Sequence, residues 1–402
     1  MTAIYTLTST LHDEAAVSRA TQEFLQSLDI DYTLKDNDYA DYGTHALQLI
    51  YVRTGGTEGI FKSLLPQLRQ QSRQPFYLLT SGKSNSLAAS MEILSYLRQH
   101  GIEGEIIHGS PEYISKRVNA LEKTGEAHRL LDGCRLGIIG QPSDWLISSN
   151  TDKNIVKEKL GIELIDIPMQ ELLEAIETLL SSSEGNTSIL KTTKAPSEAI
   201  DGAMAGALRI YDALKVIIGK YHLQGFTLRC FDLLTAVRNT GCLALAQLNS
   251  EGIVASCEGD VPAMLTMKIA QAMTGIIGFQ ANPASINPET GEMVFAHCTI
   301  PFNLVERYEL DTHFESGIGI GIRGYMKEGP VTIFKVSSDL TRSFIAEGQL
   351  IRNEGKPDLC RTQQVIRLDN PAETNYFLTR PIGNHHIILP GHHKRLLEEI
   401  MK

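Results

Sequence analysis

Strand-length apolar runs alternate with helix-length amphipathic segments as far as Met293, and beyond it the helical spacing stops. That change of texture leaves few architectures open. Strands alternating with helices build parallel, doubly wound sheets, whereas a succession of short strands builds a sandwich or barrel. The first series reads as strand 3–8, helix 14–28, strand 45–53, strand 76–79, helix 86–100 and strand 103–108. A second series opens in residues 131–140 and continues with strand 163–167, helix 169–180, helix 197–220 and strand 226–232. Between its two helices, residues 181–196 are rich in Ser, Thr and Gly and read as a flexible connection. After Met293 come strand-like runs at 331–336, 344–351, 363–368 and 385–389, then a terminal helix at 394–401. The expected fold class is α/β: two doubly wound domains, residues 1–133 and 134–294, followed by a β-rich, barrel-like domain, residues 295–402. A length of 402 residues suits two or three domains of ordinary size.

A formal net charge of -10 and the lack of any Lys/Arg-rich run speak against a nucleic-acid binder. The six cysteines are scattered with no C-x-x-C pair, which argues against a structural zinc knuckle or a redox pair. Cys230, Cys257 and Cys298 lie in apolar runs, as small buried hydrophobes do. No charged segment precedes a long apolar stretch at the N-terminus, and no run approaches about 18 apolar residues. A cytoplasmic protein without a membrane span is expected.

The chemistry concentrates around Cys257-Glu258-Gly259-Asp260. Residues 251–256 read as a short buried strand behind a glycine, and residues 264–273 as a helix closed by Gly275. Glu258 and Asp260 thus sit where a strand hands over to a helix, which is where open α/β sheets place their sites. Two acids beside a helix N-terminus also serve as plain caps. Asn282, His297 and the pair His385-His386 add oxygen and imidazole donors, a set that suits Mn²⁺, Zn²⁺ or Fe²⁺. Adjacent strand residues face opposite ways, so only one of His385 and His386 should reach a common site, and His385 is preferred. Asn282 follows an apolar strand end and precedes Pro283, which favours an extended backbone there. The lone tryptophan, Trp145, sits on a strand-end loop, a place that lines pockets as often as it merely packs.

Two further motifs carry no such weight. Ser81-Gly82-Lys83-Ser84 ends like a phosphate-binding loop, but Tyr77 stands where that loop needs its first glycine. Gly319 to Gly324 satisfies G-x-G-x-x-G, yet Gly329-Pro330 soon follows and no helix can open there.

The ordered set Cys257-Glu258-Gly259-Asp260, Ala263 to Met267 with Gly275, Ala296-His297-Cys298, and Asn384-His385-His386 with Gly391-His392 resembles the L-fucose/L-arabinose isomerase superfamily. The resemblance spans roughly residues 130 to 402. It implies a compact C-terminal β-structure and a metal-dependent aldose–ketose isomerase acting on a free monosaccharide, a deoxyhexose or pentose, through an enediolate. It implies a divalent cofactor, Mn²⁺, and a closed homo-oligomer, a trimer or hexamer. Carried over by position, Glu258, Asn282, His297 and His385 become the metal set, and Glu258 with Asp260 the catalytic acids. Asp232, Trp145 and Asn384 are assigned to the substrate. Asn282 departs from the family, which has a carboxylate at that place. An amide can ligate but cannot accept a proton, so a non-catalytic or regulatory sugar-binding relative with a weakened metal site stands as the alternative.

Overall fold

In this computed structural model residues 1–72, 74–179 and 197–402 are described. The expected flexible connection at 181–196 lies outside them. The chain divides into two compact units, Met1–Arg129 and Leu130–Lys402.

The first unit runs β1 (Thr2–Leu7), α1 (Glu14–Gln26), β2 (Tyr32–Asp36), β3 (Leu47–Val52), α2 (Glu58–Gln71), β4 (Phe76–Leu79), α3 (Ser86–Gln99), β5 (Gly104–Ile107) and α4 (Pro111–Leu131). Its sheet has the order β2-β1-β3-β4-β5 with every pair parallel. Strands β1 and β3 are buried along their whole length. Continuous apolar runs of this kind mark a parallel sheet covered on both faces. The sequence signal missed β2, which is half exposed and mixed in polarity, and it missed the helical extent of α2 and α4.

The second unit begins with β6 (Arg135–Ile139), α5 (Lys153–Leu160), β7 (Glu163–Ile167), α6 (Met169–Leu179), α7 (Glu198–Tyr221), β8 (Gly225–Leu228), α8 (Asp232–Ala236), α9 (Cys242–Ser250), β9 (Val254–Cys257) and α10 (Val261–Thr274). The strands form a parallel sheet in the order β7-β6-β8-β9. Then follow β10 (Phe279–Asn287), β11 (Glu292–His297), β12 (Arg307–Asp311), β13 (Gly321–Tyr325), β14 (Gly329–Val336), β15 (Ser343–Glu354), β16 (Thr362–Leu368), α11 (Thr374–Thr379), β17 (His386–Pro390) and α12 (Lys394–Ile400). Six of these strands close an antiparallel barrel, β10-β11-β16-β15-β14-β17, and β12 pairs with β13 as a separate ribbon. The fold class is therefore α/β with a closed C-terminal barrel.

The barrel takes in residues before 295. Its first two strands form a hairpin, and the change of texture at Met293 falls inside that hairpin. The turn between them is marked by Asn287, whose side chain accepts from the N–H groups of Glu289 and Thr290. The Gly319 to Gly324 motif runs into strand β13, with no helix after it.

Helix α10 joins sheet and barrel. Every residue from Val261 to Ala270 is buried, as suits a helix that is apolar on nearly all sides, Thr266 and Lys268 excepted. It packs on β8 and β9 on one side and on β14 and β17 on the other. Thr266 Oγ1 accepts from the Val336 N–H at 3.2 Å, tying helix to barrel wall. The start of α10 and the rim of the barrel are thereby held side by side.

Candidate metal centre

The turn from β9 into α10 is built from an acid in an unusual backbone state. Glu258 has φ +66° and Gly259 φ +72°. A left-handed non-glycine residue costs about 1–3 kcal/mol and persists only when its surroundings hold it. Here they do. The Ser143 N–H donates to the Glu258 carbonyl at 2.9 Å, and Gly259 N–H to the Leu228 carbonyl at 3.0 Å. A side chain on Gly259 would run into the Gln141 carbonyl oxygen, so the 141–145 loop can lie on this turn only because residue 259 is glycine. Asp260 then caps the helix, accepting from the Ala263 N–H at 2.9 Å.

The barrel supplies the imidazoles. His297 ends β11 and His385 immediately precedes β17. Glu258 Oε1 lies 3.6 Å from His297 Nε2 and 3.5 Å from His385 Nε2. Among the described residues, these three side chains bring their ligating atoms within 4.8 Å of one another. Asp260 Oδ2 accepts from His385 Nδ1 at 2.8 Å, and Lys335 Nζ stands 3.8 Å from the same oxygen. Asp260, Lys335 and His385 are essentially sealed from solvent.

Charge in this cluster is tightly balanced. Burial alone would raise Glu258, but the positive charge of His385 and the His297 ring, 3.5 and 3.6 Å from Oε1, hold its carboxyl well below the usual range. Burial would likewise raise Asp260, and Lys335 with His385 brings it down to about 2. Burial disfavours the His385 cation, yet the two carboxylates outweigh it and push His385 up to about 9. Burial lowers Lys335, against the pull of Asp260.

The donor set fits a divalent ion. His385 Nε2 is buried without a hydrogen-bond partner, while its other nitrogen is fixed on Asp260. A carboxylate that holds the far nitrogen of a ligating histidine sets its tautomer and raises its basicity. His297 Nδ1 is buried and unpartnered as well. Two imidazoles and a carboxylate suit Mn²⁺, Fe²⁺ or Zn²⁺, and the set itself does not choose among them.

The remaining residues singled out from sequence are placed as follows. His386 points the other way from His385, between Phe344, Tyr376 and Phe377, with its Nε2 3.0 Å from the Tyr376 hydroxyl. Asn282 is not at a strand end. Strand β10 continues to Asn287, with a bulge between Pro283 and Ser285. The Asn282 amide oxygen accepts from Asn384 Nδ2 at 3.2 Å, next to His385. Trp145 Nε1 donates to Glu258 Oε2 at 2.7 Å. Asp232 is bound to Arg229 at 3.1 Å and lines a cavity of about 930 Å³ with Gly140, Pro142, Asp144 and Arg229. That cavity lies where β6 and β8 end, and Glu258 is not in its lining.

Three contributors were given no role from sequence, although Arg229 belongs to the run Arg229-Cys230-Phe231-Asp232 that adds to the family resemblance. Lys335 is a lone cation inside the apolar run Ile333 to Val336, and that oddity was its only signal. Gln280 Oε1 accepts from the Cys257 N–H at 2.9 Å and the Ser256 hydroxyl at 3.0 Å, bracing the strand behind Glu258. Arg229 bridges the Pro142 carbonyl and Asp144.

No family model matches the chain. Sequence comparison finds curated sulfoquinovose isomerases. That of Clostridium sp. (strain MSTE9) is 23% identical over 259 residues, covering 62% of this chain and 56% of its own. That of Alkalicoccus urumqiensis is 21% identical over 272 residues, covering 63% and 59%. That of Priestia aryabhattai is 23% identical over 309 residues, covering 73% and 68%. The matched region spans less than two thirds of the length of the first two relatives.

Proposed function

We propose that this protein is a metal-dependent aldose–ketose isomerase of a monosaccharide, with its centre at Glu258, His297 and His385. The observation that carries the reading is the convergence of one carboxylate from a sheet end and two imidazoles from a barrel rim on a single point. The similarity to sulfoquinovose isomerases supports it at the level of reaction class.

Isomerisation moves a hydrogen between adjacent carbons and builds negative charge on two neighbouring oxygens. When bound, a divalent ion supplies Lewis-acid stabilisation of that charge. Glu258 is ionised at neutral pH, with Oε1 facing the imidazoles and Oε2 facing the half-exposed Trp145. It takes the proton from the carbon next to the carbonyl at Oε2 and returns it to the former carbonyl carbon, while the proton of the adjacent hydroxyl passes to the former carbonyl oxygen, so that the second carbon becomes the new carbonyl. Asp260, fully buried and engaged at both oxygens, does not reach a substrate. It positions His385 by holding Nδ1. Asn384 and Asn282 hold each other at the rim, where their remaining amide groups offer hydrogen bonds to sugar hydroxyls. The proposed ion is Mn²⁺, and the proposed assembly a closed trimer or hexamer, which light scattering would test.

Asn282 favours a second reading, a sugar-binding relative without turnover, because a neutral amide stands where the resembling family has a carboxylate. Metal analysis of the purified protein, paired with an isomerase assay on sulfoquinovose, aldopentoses and deoxyhexoses, separates the two. Retained metal with turnover of at least one sugar supports the enzyme, sugar binding without turnover supports the second reading, and neither metal nor turnover defeats the first.

A further inference from the structure

The two oxygens of Glu258 have different partners. Oε1 faces both imidazoles, and Oε2 accepts from the Trp145 indole at 2.7 Å. An indole N–H can only donate, so this bond exists only while an oxygen of Glu258 is turned toward it. Half of Trp145 is open to solvent (51%), so burial of the ring does not account for its position. Its loop is fastened instead. The Ser143 N–H holds the Glu258 carbonyl, and Arg229 donates to the Pro142 carbonyl at 2.8 Å and to both oxygens of Asp144 at 3.3 and 3.1 Å. The Trp145 ring stands edge-on to Phe231 with centroids 4.9 Å apart.

We infer that Trp145 is a positioning residue: its N–H locks the Glu258 carboxylate so that Oε1 alone faces the point between His297 and His385, and Arg229 fastens the loop that carries it. The inference rests on the divalent-ion reading of that point. It also gives Trp145 a role distinct from the sugar contact expected from sequence. A carboxylate free to rotate about its last bond would offer either oxygen, or both. Held as it is, it keeps one oxygen for the ion and one for the substrate side. Outer-shell partners of this kind typically affect metal affinity by about 10–100-fold.

Trp145 is the only tryptophan in the chain, so its emission reports on this bond without any label. Three measurements test the inference. In the unmodified protein, Mn²⁺ should quench the emission with the midpoint that calorimetry gives for Mn²⁺ binding. Without metal, Glu258→Gln should shift the emission, because an amide replaces the charged acceptor. Trp145→Phe keeps a ring against Phe231 but has no N–H. It should bind Mn²⁺ about tenfold more weakly, with an unchanged circular dichroism spectrum. If the unmodified protein takes up no Mn²⁺, the ion-centre reading fails, and the emission of Glu258→Gln alone decides whether the indole is locked on the carboxylate. Emission that Glu258→Gln leaves unmoved, or Mn²⁺ affinity equal in Trp145→Phe and its parent, overturns the inference.

Discussion

The turns after β4 and β9 use the same backbone device to different ends. After β4, Gly82, Ser84 and Asn85 are left-handed at φ +78°, +53° and +58°, and α3 follows. After β9, Glu258 and Gly259 are left-handed and α10 follows. Both turns are braced from a neighbouring loop, Gly55 N–H to the Ser84 carbonyl at 2.7 Å in one and Ser143 N–H to the Glu258 carbonyl at 2.9 Å in the other. The first turn presents hydroxyl and amide groups that are largely open to solvent. In the second, the following helix is covered by a barrel whose rim brings His297, His385 and Lys335 to the same place. A strained sheet-end turn is therefore not a site by itself. It becomes one when a second layer of structure returns side chains to it.

The largest effect should separate the two turns outright. Glu258→Gln should lower Mn²⁺ affinity by about two orders of magnitude or more and abolish turnover, while Asn85→Gly should leave both unchanged; calorimetry and an isomerase assay read this. Next is the buried cation. Lys335→Met leaves the Asp260 carboxylate sealed in with only His385 for compensation, and breaking a buried pair in this way costs about 3–5 kcal/mol. Urea unfolding of the metal-free protein should show a loss of that order. A loss under 1 kcal/mol would mean that Lys335 contributes little charge to the cluster.

The pH dependence follows from His385. Its folded pKa, about 9, lies above the unfolded value near 6.5, so the folded state binds a proton more tightly. That contribution to stability is full below about pH 6.5 and is lost as pH rises through 9. The melting temperature of the metal-free protein should fall across that window, and His385→Asn should flatten the fall. Smaller again is Asn282→Asp, which keeps the acceptor for Asn384 and adds a charge near the centre. It should tighten Mn²⁺ binding several-fold and raise turnover, and unchanged affinity would remove Asn282 from the site. The smallest effect belongs to the first turn. Asn85→Gly should stabilise the protein by about 0.5 kcal/mol, the relief of left-handed strain being partly offset by glycine's backbone entropy.

Most elements were legible because their signals are local. Buried parallel strands such as β1, β3 and β6 are short apolar runs, and α10 is bounded by a capping Asp260 and a left-handed Gly275. Elements with mixed polarity, β2 and the β12–β13 ribbon, left no comparable trace. The pairing of Glu258 with His297 and His385 was suggested by resemblance to a family, and no spacing in the chain implies it. The start of the barrel was misplaced because β10 and β11 carry strand character on both sides of Met293, so the texture changes one strand late.

By itself the sequence determined the buried parallel strands, the stop of α10 at Gly275, and that His385 and His386 face opposite ways. Each of these depends on residues within a few positions of one another. Tertiary structure alone decided that Trp145 donates to an acid 113 positions away and that Asp260 holds a histidine 125 positions away, with Lys335 beside the same oxygen. Such contacts depend on strand order and register across a closed barrel and the sheet beside it. Many registers satisfy the same alternation of apolar and polar residues, and the choice among them is made by packing the whole unit at once.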